Sequence, residues 1–511
     1  MIAKVYSAAV VGLDAQPIEV EVDLSAGLHC FQIVGLPGAA VNESKDRVSS
    51  AIKNSGITPP YHSRRRVIVN LAPADLKKEG PAYDLPIAMA FLLASGQVSV
   101  ENTTDKIFIG ELSLEGALRR ISGVLPIALA AKEKGFKTIF LPIGNAVEAA
   151  LVKGLEVIPV NSLKQLIAHL KGERLISKKM PARENKLCSK NDLLVDMAHI
   201  KGQEQSKRAL EIAAAGAHNI LMRGPAGTGK TLLARSFPSI LPSLLKKESL
   251  EVTKIFSAAG HLNDNQSLVT ERPFRSPHHT ASVVSLVGGG SRPKPGEITL
   301  AHRGVLFLDE MPEFSRSTLE GLRQPLEDGV ITVSRAGGTE IFPAKFILIG
   351  AMNPCPCGKL GDPEQQCTCS PGQISKYQRK LSGPFLDRID INIEVPRLIA
   401  SELSSSQLSE PSKLIRERVR KARIIQGRRF LNEKNIITNS EMRPNQTKKF
   451  CRIGLSGQNL LENAVDRMRL SVRSYYRLLK LSRTIADLDG ADNIQTTHIA
   501  EAIQYSPKVE A

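Results

Sequence analysis

Residues 219–231 read NILMRGPAGTGKT, an apolar run that leads into a glycine-rich turn, and the helical pattern LLARSF follows. Strand, loop and helix in this order form the context in which such a turn binds phosphate. Glycines let backbone N–H groups surround the phosphates, Lys230 can reach the β- and γ-phosphate oxygens, and Thr231 can place a hydroxyl on Mg²⁺. The sequence therefore predicts a nucleotide-binding loop made of Gly224, Pro225, Ala226, Gly227, Thr228, Gly229, Lys230 and Thr231.

A second motif, GVLFLDE, reads as a buried strand that ends in Asp309 and Glu310. Two carboxylates at the end of a buried strand need a charged partner. Asp309 can hold Mg²⁺, and Glu310 can act as the general base for an attacking water. Together the two motifs predict hydrolysis of a nucleotide, with ATP and Mg²⁺ as cofactors.

Two further residues fit a composite site. The strand-like run KFILIGAMN ends in Asn353, which suits the orientation of water or of the γ-phosphate; a strand cap is the alternative. In GPFLDRIDI, Arg388 could reach the γ-phosphate of a neighbouring subunit and stabilise charge in the transition state. An ion pair with Asp387 or Asp390 is the alternative there. If Arg388 acts on a neighbouring subunit, we expect a homo-oligomer.

Pattern and composition divide the chain into four parts. Residues 1–170 alternate strand-like and helical runs, as an α/β or α+β domain does, and 171–195 read as a polar, lysine-rich linker. Residues 196–400 alternate strands with helices and predict a doubly wound parallel sheet. Residues 401–511 carry apolar residues at helical spacing and predict a small, basic helical domain.

Charge points to an acidic partner. The 511 residues include 68 Lys and Arg against 51 Asp and Glu, and residues 411–490 alone carry 19 basic and 7 acidic side chains. Such a concentration favours a polyanion, nucleic acid first; a solvated basic surface is the alternative, since Trp is absent. Neither a membrane-spanning run nor a convincing signal peptide is present, so we expect a cytoplasmic protein without membrane association.

Four of the seven cysteines lie close together in a loop rich in proline: Cys355, Cys357, Cys367 and Cys369. In a reducing compartment four thiolates can complete a tetrahedral structural zinc site. The C-x-C spacing is tighter than usual for zinc, and four reduced thiols are the alternative. The adjacent His278 and His279 have no carboxylate at ligand spacing, which favours a structural or loop-contact role over a metal site.

At these motifs the chain resembles the magnesium-chelatase-like branch of the AAA+ ATPases, and closely the ComM (YifB) family. The resemblance covers nearly the whole chain and rests on GPAGTGKT, RPFRSPHHTAS, GGGSRPKPGEITLAHRGVLFLDEMPEF, AMNPCPCG, LSGPFLDRIDI and SVRSYYRLLKLSRTIADL. It implies an AAA+ P-loop core with a helical lid, in which Asn353 is the sensor 1 residue, Arg388 the arginine finger and Arg473 the sensor 2 arginine. It also implies a hexameric helicase that drives branch migration of DNA during natural transformation and recombination.

The N-terminal region resembles a Lon-type protease domain, in the ribosomal S5-like α+β fold. The resemblance rests on VGLPGAAVNESKDRV, KKEGPAYDLPIAMA and GELSLEGALRRISGVLPIALAAKEKG. Ala82 stands where that pattern has its catalytic serine, and Leu125 stands where it has the lysine. Without a hydroxyl nucleophile and an amine to activate it, proteolysis by this route has no chemistry. We therefore expect a scaffold for assembly or DNA binding.

The run DGVITVSRAGGTEIFPAKF predicts a β-hairpin around Arg335. In related ring motors a hairpin at this place projects into the central channel, which makes Arg335 a candidate contact for the DNA backbone. An inter-subunit ion pair or a solvated tip is the alternative.

The leading hypothesis is a ring-forming ATPase that acts on single-stranded or branched DNA. A chelatase-type motor that acts on a tetrapyrrole partner is the first alternative. The Lon-like domain and the absence of a D-x-S-x-S motif argue against it. A non-catalytic assembly factor is the second alternative, and the presence of Glu310 and Arg388 argues against that one.

Overall fold

The structure is a computed structural model, and it describes residues 2–28, 30–62, 65–100, 102–180, 195–262, 268–290, 293–335, 338–398, 409–433 and 436–506. The chain forms two compact units. The first consists of Met1–Cys188 with Lys246–Val269, and the second of Ser189–Leu245 with Thr270–Ala511. The segment Lys246–Val269 lies inside the span 196–400 that the sequence pattern assigned to the ATPase core, yet it packs as part of the first unit.

The helices and strands of the described residues follow in this order: β1 Ile2–Val11, β2 Asp14–Ala26, β3 Cys30–Val34, α1 Ala39–Asn42, α2 Ser44–Asn54, β4 Arg65–Ala72, α3 Asp84–Ala94, β5 Lys106–Phe108, β6 Glu111–Leu112, β7 Leu118–Arg119, α4 Val124–Glu133, β8 Thr138–Pro142, α5 Ala146–Ala149, β9 Glu156–Val160, α6 Leu163–Leu170, α7 Glu204–Gly216, β10 Ile220–Arg223, α8 Lys230–Ile240, α9 Lys246–Ala259, β11 Phe274–Arg275, α10 Val283–Val287, β12 Gly288–Gly289, β13 Lys294–Pro295, α11 Glu297–Leu300, β14 Val305–Leu308, α12 Arg316–Gly321, α13 Arg323–Asp328, β15 Val330–Arg335, β16 Gly338–Pro343, β17 Ile347–Met352, α14 Pro371–Gln378, α15 Gly383–Leu386, β18 Ile391–Glu394, α16 Ser412–Arg429, α17 Pro444–Phe450, α18 Leu455–Met468, α19 Val472–Leu488 and α20 Thr496–Gln504.

The first unit is built on a mixed sheet with strand order β3-β4-β2-β1-β5-β8-β9. Strand β2 buries every second residue, Ile18, Val20, Val22 and Leu24, because alternate side chains of a strand point to the same face. Helix α3 is apolar around nearly its whole circumference and is buried accordingly. The α+β domain expected from the sequence is confirmed.

The two positions that replace the protease residues lie in one apolar cluster of this unit. Leu125 is fully buried, and Ala82 packs against the same cluster. The backbone N–H of Leu125 donates to Glu148 Oε1 at 2.9 Å and to Ser257 Oγ at 3.3 Å. Both side chains therefore pack in this apolar cluster, and neither offers a nucleophile or a base.

The second unit is built on a parallel sheet with strand order β11-β14-β17-β10-β18. Each pair of neighbours is parallel. All residues of β14 and β17 are buried, as is typical of strands covered by helices on both faces. The doubly wound parallel sheet predicted from the sequence is confirmed, and the helices α16 to α20 follow it as the expected lid.

Many of the basic side chains of the lid are used inside the unit. Arg423 donates to the carbonyl of Ala214 at 2.7 Å, and Arg429 pairs with the buried Asp487 at 2.7 Å. The residues held in this way by carboxylates or backbone carbonyls are Arg416, Arg418, Arg423, Arg429, Arg477, Lys480 and Arg483. The positive charge of 411–490 is therefore in part structural, and counting charges overstates the surface free to meet a polyanion.

The predicted hairpin is formed by β15 and β16, in which Arg335 pairs with Gly338. The side chain of Arg335 lies outside the described residues, so its proposed contact with DNA stays a prediction.

Among the residues that the structure describes, no helix is both long enough and apolar enough to cross a membrane.

Asp487 is the centre of the lid's buried ion cluster, since it is fully buried and accepts from both Arg429 and Arg483. We expect Asp487→Asn to lower the free energy of unfolding by about 3 kcal/mol, because two arginines lose the charge that compensates them. Denaturant unfolding of the full chain, followed by circular dichroism, measures the change.

The matched control is Asp489→Asn, since this half-exposed carboxylate lies 3.6 Å from Arg208. Its cost should stay below about 1 kcal/mol. Equal costs for the two variants would contradict the role given to the buried cluster.

Candidate nucleotide-binding site

The candidate site lies where three parallel strands end. Strand β17 lies between β14 and β10, with Leu308 opposite Gly350 and Met222 opposite Ala351. The residues that follow these strands therefore come out at one edge of the sheet. Ligands of open parallel sheets bind at this edge.

The glycine-rich loop between β10 and α8 depends on its glycines. A Cβ at Gly224 would lie 2.3 Å from the carbonyl oxygen of Val395, so no side chain fits there. Gly227 and Gly229 have φ of 79° and 87°, a region that favours glycine. Thr228 Oγ1 closes the turn by donating to the carbonyl of Pro225 at 3.0 Å. The loop thus delivers the chain directly into α8, which begins at Lys230.

Lys230 is buried within the loop and is held by three oxygens. Its Nζ donates to the carbonyls of Gly224 and Pro225, both at 2.7 Å, and to Asn353 Oδ1 at 3.1 Å. Burial lowers the pKa of Lys230, and the nearby Asp309 carboxylate opposes that shift. The ammonium group lies where it can exchange a backbone carbonyl for a phosphate oxygen.

Thr231 and Asp309 are brought into direct contact. Thr231 Oγ1 donates to Asp309 Oδ2 at 2.7 Å, although 78 residues separate them. A hydroxyl and a carboxylate oxygen are ligands that Mg²⁺ accepts together with phosphate oxygens. The oxygen pair fits the magnesium site predicted from the sequence.

Glu310 has a strained backbone and an exposed carboxylate. Its φ of 47° and ψ of 45° lie in the left-handed region, which costs energy in a residue with a side chain and is common at functional sites. Its N–H donates to Asp309 Oδ1 at 3.0 Å, which fixes the turn. His279 Nδ1 lies 3.9 Å from Glu310 Oε2. Among the described residues, neither His278 nor His279 belongs to a group that could hold a metal.

Tyr377, on α14, is a neighbour of the site that the sequence motifs did not identify. Burial raises the pKa of Tyr377 to about 12, with Glu313 and Glu310 adding to the shift. The same phenol is hydrogen bonded to the backbone of Asn353. Helix α14 therefore touches the proposed sensor residue and lies close to the proposed base.

The two arginines expected to act on the γ-phosphate meet on one carboxylate. Arg388 Nη2 and Arg473 Nη2 donate to the two oxygens of Glu327. Burial would raise the pKa of Glu327, but the hydrogen bond and charge of Arg388, with those of Arg473, hold it below its usual value. Among the described residues, neither arginine contacts Lys230. The structure thus brings together the loop, the two acids and Asn353, and it places both arginines elsewhere.

The sequence suggested an ion pair of Arg388 with Asp387 or Asp390 as the alternative, but Arg388 pairs with Glu327. Asp390 instead accepts from the backbone N–H of Asn219 at 3.0 Å and lies 3.4 Å from His218 Nδ1. Glu327 is 61 residues away from Arg388, so no local pattern could have identified it.

The four cysteines of the loop come together as the sequence predicted. Their sulfur atoms all lie within 4.8 Å of one another. The arrangement is compatible with one metal ion.

A basic pocket of about 630 Å³ opens beside α14. Its lining carries four cations, of which Lys380 pairs with Glu313 at 3.2 Å. No carboxylate of the described residues lies within ion-pair distance of Arg316, Lys376 or Arg379. The residues that line it are Phe314, Arg316, Gly372, Ser375, Lys376, Arg379 and Lys380. The run KYQRK carries this signal in the sequence, but three cations in five residues are also common on solvated helix ends.

The fold and the site define the class of protein: a P-loop nucleotide-binding ATPase with an AAA+ core. Models of the magnesium chelatase subunit ChlI match the chain in three places, at residues 196–403, at 20–145 and, for its C-terminal part, at 409–506.

Comparison with individual proteins is more specific. The chain is 43% identical to the competence protein ComM of Haemophilus influenzae, over 99% of this chain and 98% of that one. It is 42% identical to a protein called YifB of Escherichia coli, over 98% and 96% of the two chains. A Lon protease of Rhizobium meliloti is 29% identical over 135 residues, which are 25% of this chain and 16% of that one. The chain belongs to the ComM/YifB family of magnesium-chelatase-like AAA+ ATPases, with a Lon-like N-terminal domain.

Proposed function

We propose that the protein is a ring-forming motor that hydrolyses ATP and moves DNA. The observation that supports ATP hydrolysis is a set of hydrogen bonds at the edge of the sheet. They link Lys230 to Asn353 and Thr231 to Asp309, and Glu310 follows Asp309 directly. ATP and Mg²⁺ are the cofactors that these residues suit.

Each residue of the site has one task in this proposal. Lys230 leaves the loop carbonyls and binds the β- and γ-phosphates, while Thr231 and Asp309 hold the metal. Mg²⁺ supplies charge neutralisation on the phosphate oxygens. Glu310 accepts a proton from the attacking water, and Asn353 orients that water or the γ-phosphate. Because phosphoryl transfer depends on positioning and charge, this set supplies the part of the site that lies inside one subunit.

The remaining positive charge comes from a second copy of the chain. We propose that Arg388 acts as the arginine finger and Arg473 as the sensor 2 arginine, and that the γ-phosphate takes the place of Glu327. A carboxylate that already binds both guanidinium groups has the charge and the shape of part of a phosphate. The proposal predicts a homo-oligomer, and the family resemblance suggests a hexamer.

We propose that the motor acts on single-stranded or branched DNA and promotes branch migration during natural transformation and recombination. The basic pocket supports the proposal that the motor binds DNA, since its exposed cations can bind the phosphate backbone. Lys376 lies next to Tyr377 on α14, and Arg379 follows just after the helix. Because Tyr377 is hydrogen bonded to the backbone of Asn353, a displacement of the pocket residues would be transmitted to Asn353. One relative at 43% identity bears the name of a competence protein.

A chelatase-type motor would use the same ATPase site on a different partner. Nothing in the contacts around Lys230 and Asp309 separates the two, because the chemistry of hydrolysis is shared. The effect of DNA on ATP turnover distinguishes the DNA motor from the chelatase-type motor.

The role of Glu310 has a direct test. We expect Glu310→Gln to keep ATP binding within about threefold and to lower kcat at least about a hundredfold, since a general base contributes about 10²–10⁴-fold. Phosphate release measures turnover, and a fluorescent ATP analogue measures binding. Glu313→Gln, one turn later and exposed, is the control and should keep its turnover. Undiminished hydrolysis by Glu310→Gln would remove this residue as the base.

The DNA part is tested by ATP turnover with and without single-stranded and branched DNA across a salt series. We expect stimulation that weakens as salt rises, because phosphate contacts release counterions. Indifference to both DNA forms at low salt would contradict the DNA motor and favour the chelatase-type motor.

The pocket itself is tested by the double variant Lys376→Ala, Arg379→Ala. We expect the slope of log affinity for DNA against log salt to fall by about 2, because each substitution removes one cation that binds a phosphate. The control is Lys53→Ala, Lys134→Ala, which removes two exposed lysines at the ends of helices of the first unit. Equal slopes for the wild type and the pocket variant would exclude the pocket as the DNA contact.

A further inference from the structure

A long loop leads from the nucleotide site to α14. It runs from residue 354 to residue 370, and it contains neither helix nor strand. Irregular loops of more than about 12–15 residues are uncommon in compact domains unless something else holds them. The four cysteines lie near its two ends, so a bond among them would fix the loop.

The sulfur atoms have the spacing of ligands around a single ion. Cys355 Sγ lies 3.4 Å from Cys357 Sγ and 3.7 Å from Cys367 Sγ, and the last two lie 3.6 Å apart. A disulfide would bring two sulfurs to about 2.05 Å. Sulfurs bound tetrahedrally at about 2.3 Å from Zn²⁺ are about 3.8 Å from one another. An iron–sulfur cluster would place several atoms between the thiolates and spread them further.

Backbone donors surround these sulfurs. The N–H of Leu360 donates to Cys355 Sγ at 3.4 Å, and the N–H groups of Lys359 and Thr368 donate to Cys357. Such donors stabilise thiolates bound to a metal. With four sulfur ligands and no oxygen or nitrogen among them, the set favours Zn²⁺ over harder cations such as Mg²⁺ or Ca²⁺.

The loop is also fastened to the nucleotide-binding loop. The N–H of Ala226 donates to the carbonyl of Gly358 at 3.0 Å. A Cβ at Gly358 would lie 3.1 Å from the Cβ of Ala226 and 3.7 Å from Cγ of Asn353, and the φ of Gly358 is 75°. Gly358 therefore packs against two parts of the ATP site at once, at a position that only glycine fits well.

The middle of the loop is tied to the segment after β18, and the start of the loop is tied to α14. Arg397, just after β18, pairs with Asp362 at 2.8 Å and with Glu364 at 3.1 Å. Gln378 of α14 donates to the carbonyl of Pro354 at 3.2 Å. The loop 354–370 thus connects the cysteines, the nucleotide site and the helix beside the basic pocket.

We propose that Cys355, Cys357, Cys367 and Cys369 bind one structural Zn²⁺, and that this zinc centre holds the nucleotide-binding loop and Asn353 in the geometry that binds ATP. The coupling rests on the ATP-binding part of the proposed function and is independent of the DNA part.

The metal is tested first, on the full chain purified without chelator and without a histidine tag. Elemental mass spectrometry should find about one zinc ion per chain. The variant Cys367→Ser, Cys369→Ser should lose it, while Cys30→Ser, an exposed cysteine of β3, should keep it. A wild-type chain with reduced thiols and no zinc, even after zinc is added back, would overturn the metal site.

The coupling is tested with a variant that leaves the ligands in place. Gly358→Ala should keep its zinc and bind a fluorescent ATP analogue about tenfold more weakly, since one or two hydrogen bonds of the nucleotide loop are disturbed. Gly361→Ala is the matched control, because φ is 79° there and no atom lies within 4 Å of the added Cβ. Gly358→Ala with zinc bound and an unchanged affinity would overturn the coupling.

The two tests separate this inference from the proposed function. Zinc content is measured without nucleotide, so a chain that holds zinc but binds no ATP would contradict the ATPase and the coupling while supporting the metal site. Reversible removal of zinc by a chelator should weaken ATP binding to the same degree as Gly358→Ala, and zinc should restore it. An affinity that does not follow the zinc content would count against the coupling.

Discussion

The parallel register of β14, β17 and β10 is the constraint on which the rest of the site depends. Because Leu308 lies opposite Gly350 and Met222 opposite Ala351, the residues after these strands come out together. The hydrogen bond from Thr231 to Asp309 follows from this register, and so does the one from Lys230 to Asn353. A slip of one residue would turn each strand's side chains to the other face and dissolve both hydrogen bonds.

The sequence predicted this part of the structure well, since its signals are local. GPAGTGKT and GVLFLDE lie at the ends of strands and contain the proposed functional residues, and a parallel sheet brings these strand ends together. What could not be predicted is long-range pairing. Glu327 meets Arg388 and Arg473 from 61 and 146 residues away, and no periodicity in the chain marks it. The packing of Lys246–Val269 with the first unit is of the same kind.

Charge was the least reliable guide, because composition does not distinguish a solvated arginine from a buried one. Arg429 and Arg483 belong to the buried cluster around Asp487 and are not free to bind a polyanion. The basic pocket, by contrast, has cations that few carboxylates of the described residues compensate. It lies beside α14, which also touches the candidate ATP site, so we propose this pocket as a DNA contact in addition to Arg335.

A catalytic site completed by a second copy of the chain is the central claim, and mixing two inactive variants tests it most directly. Lys230→Ala removes the phosphate ligand from a subunit's own site, whereas Arg388→Ala removes the charge it lends to its neighbour. Rings assembled from an equal mixture should regain ATP turnover, because some interfaces combine an intact loop with an intact arginine. Mixed rings, verified by co-purification through a tag on one variant, that stay as inactive as either variant alone would contradict the shared site.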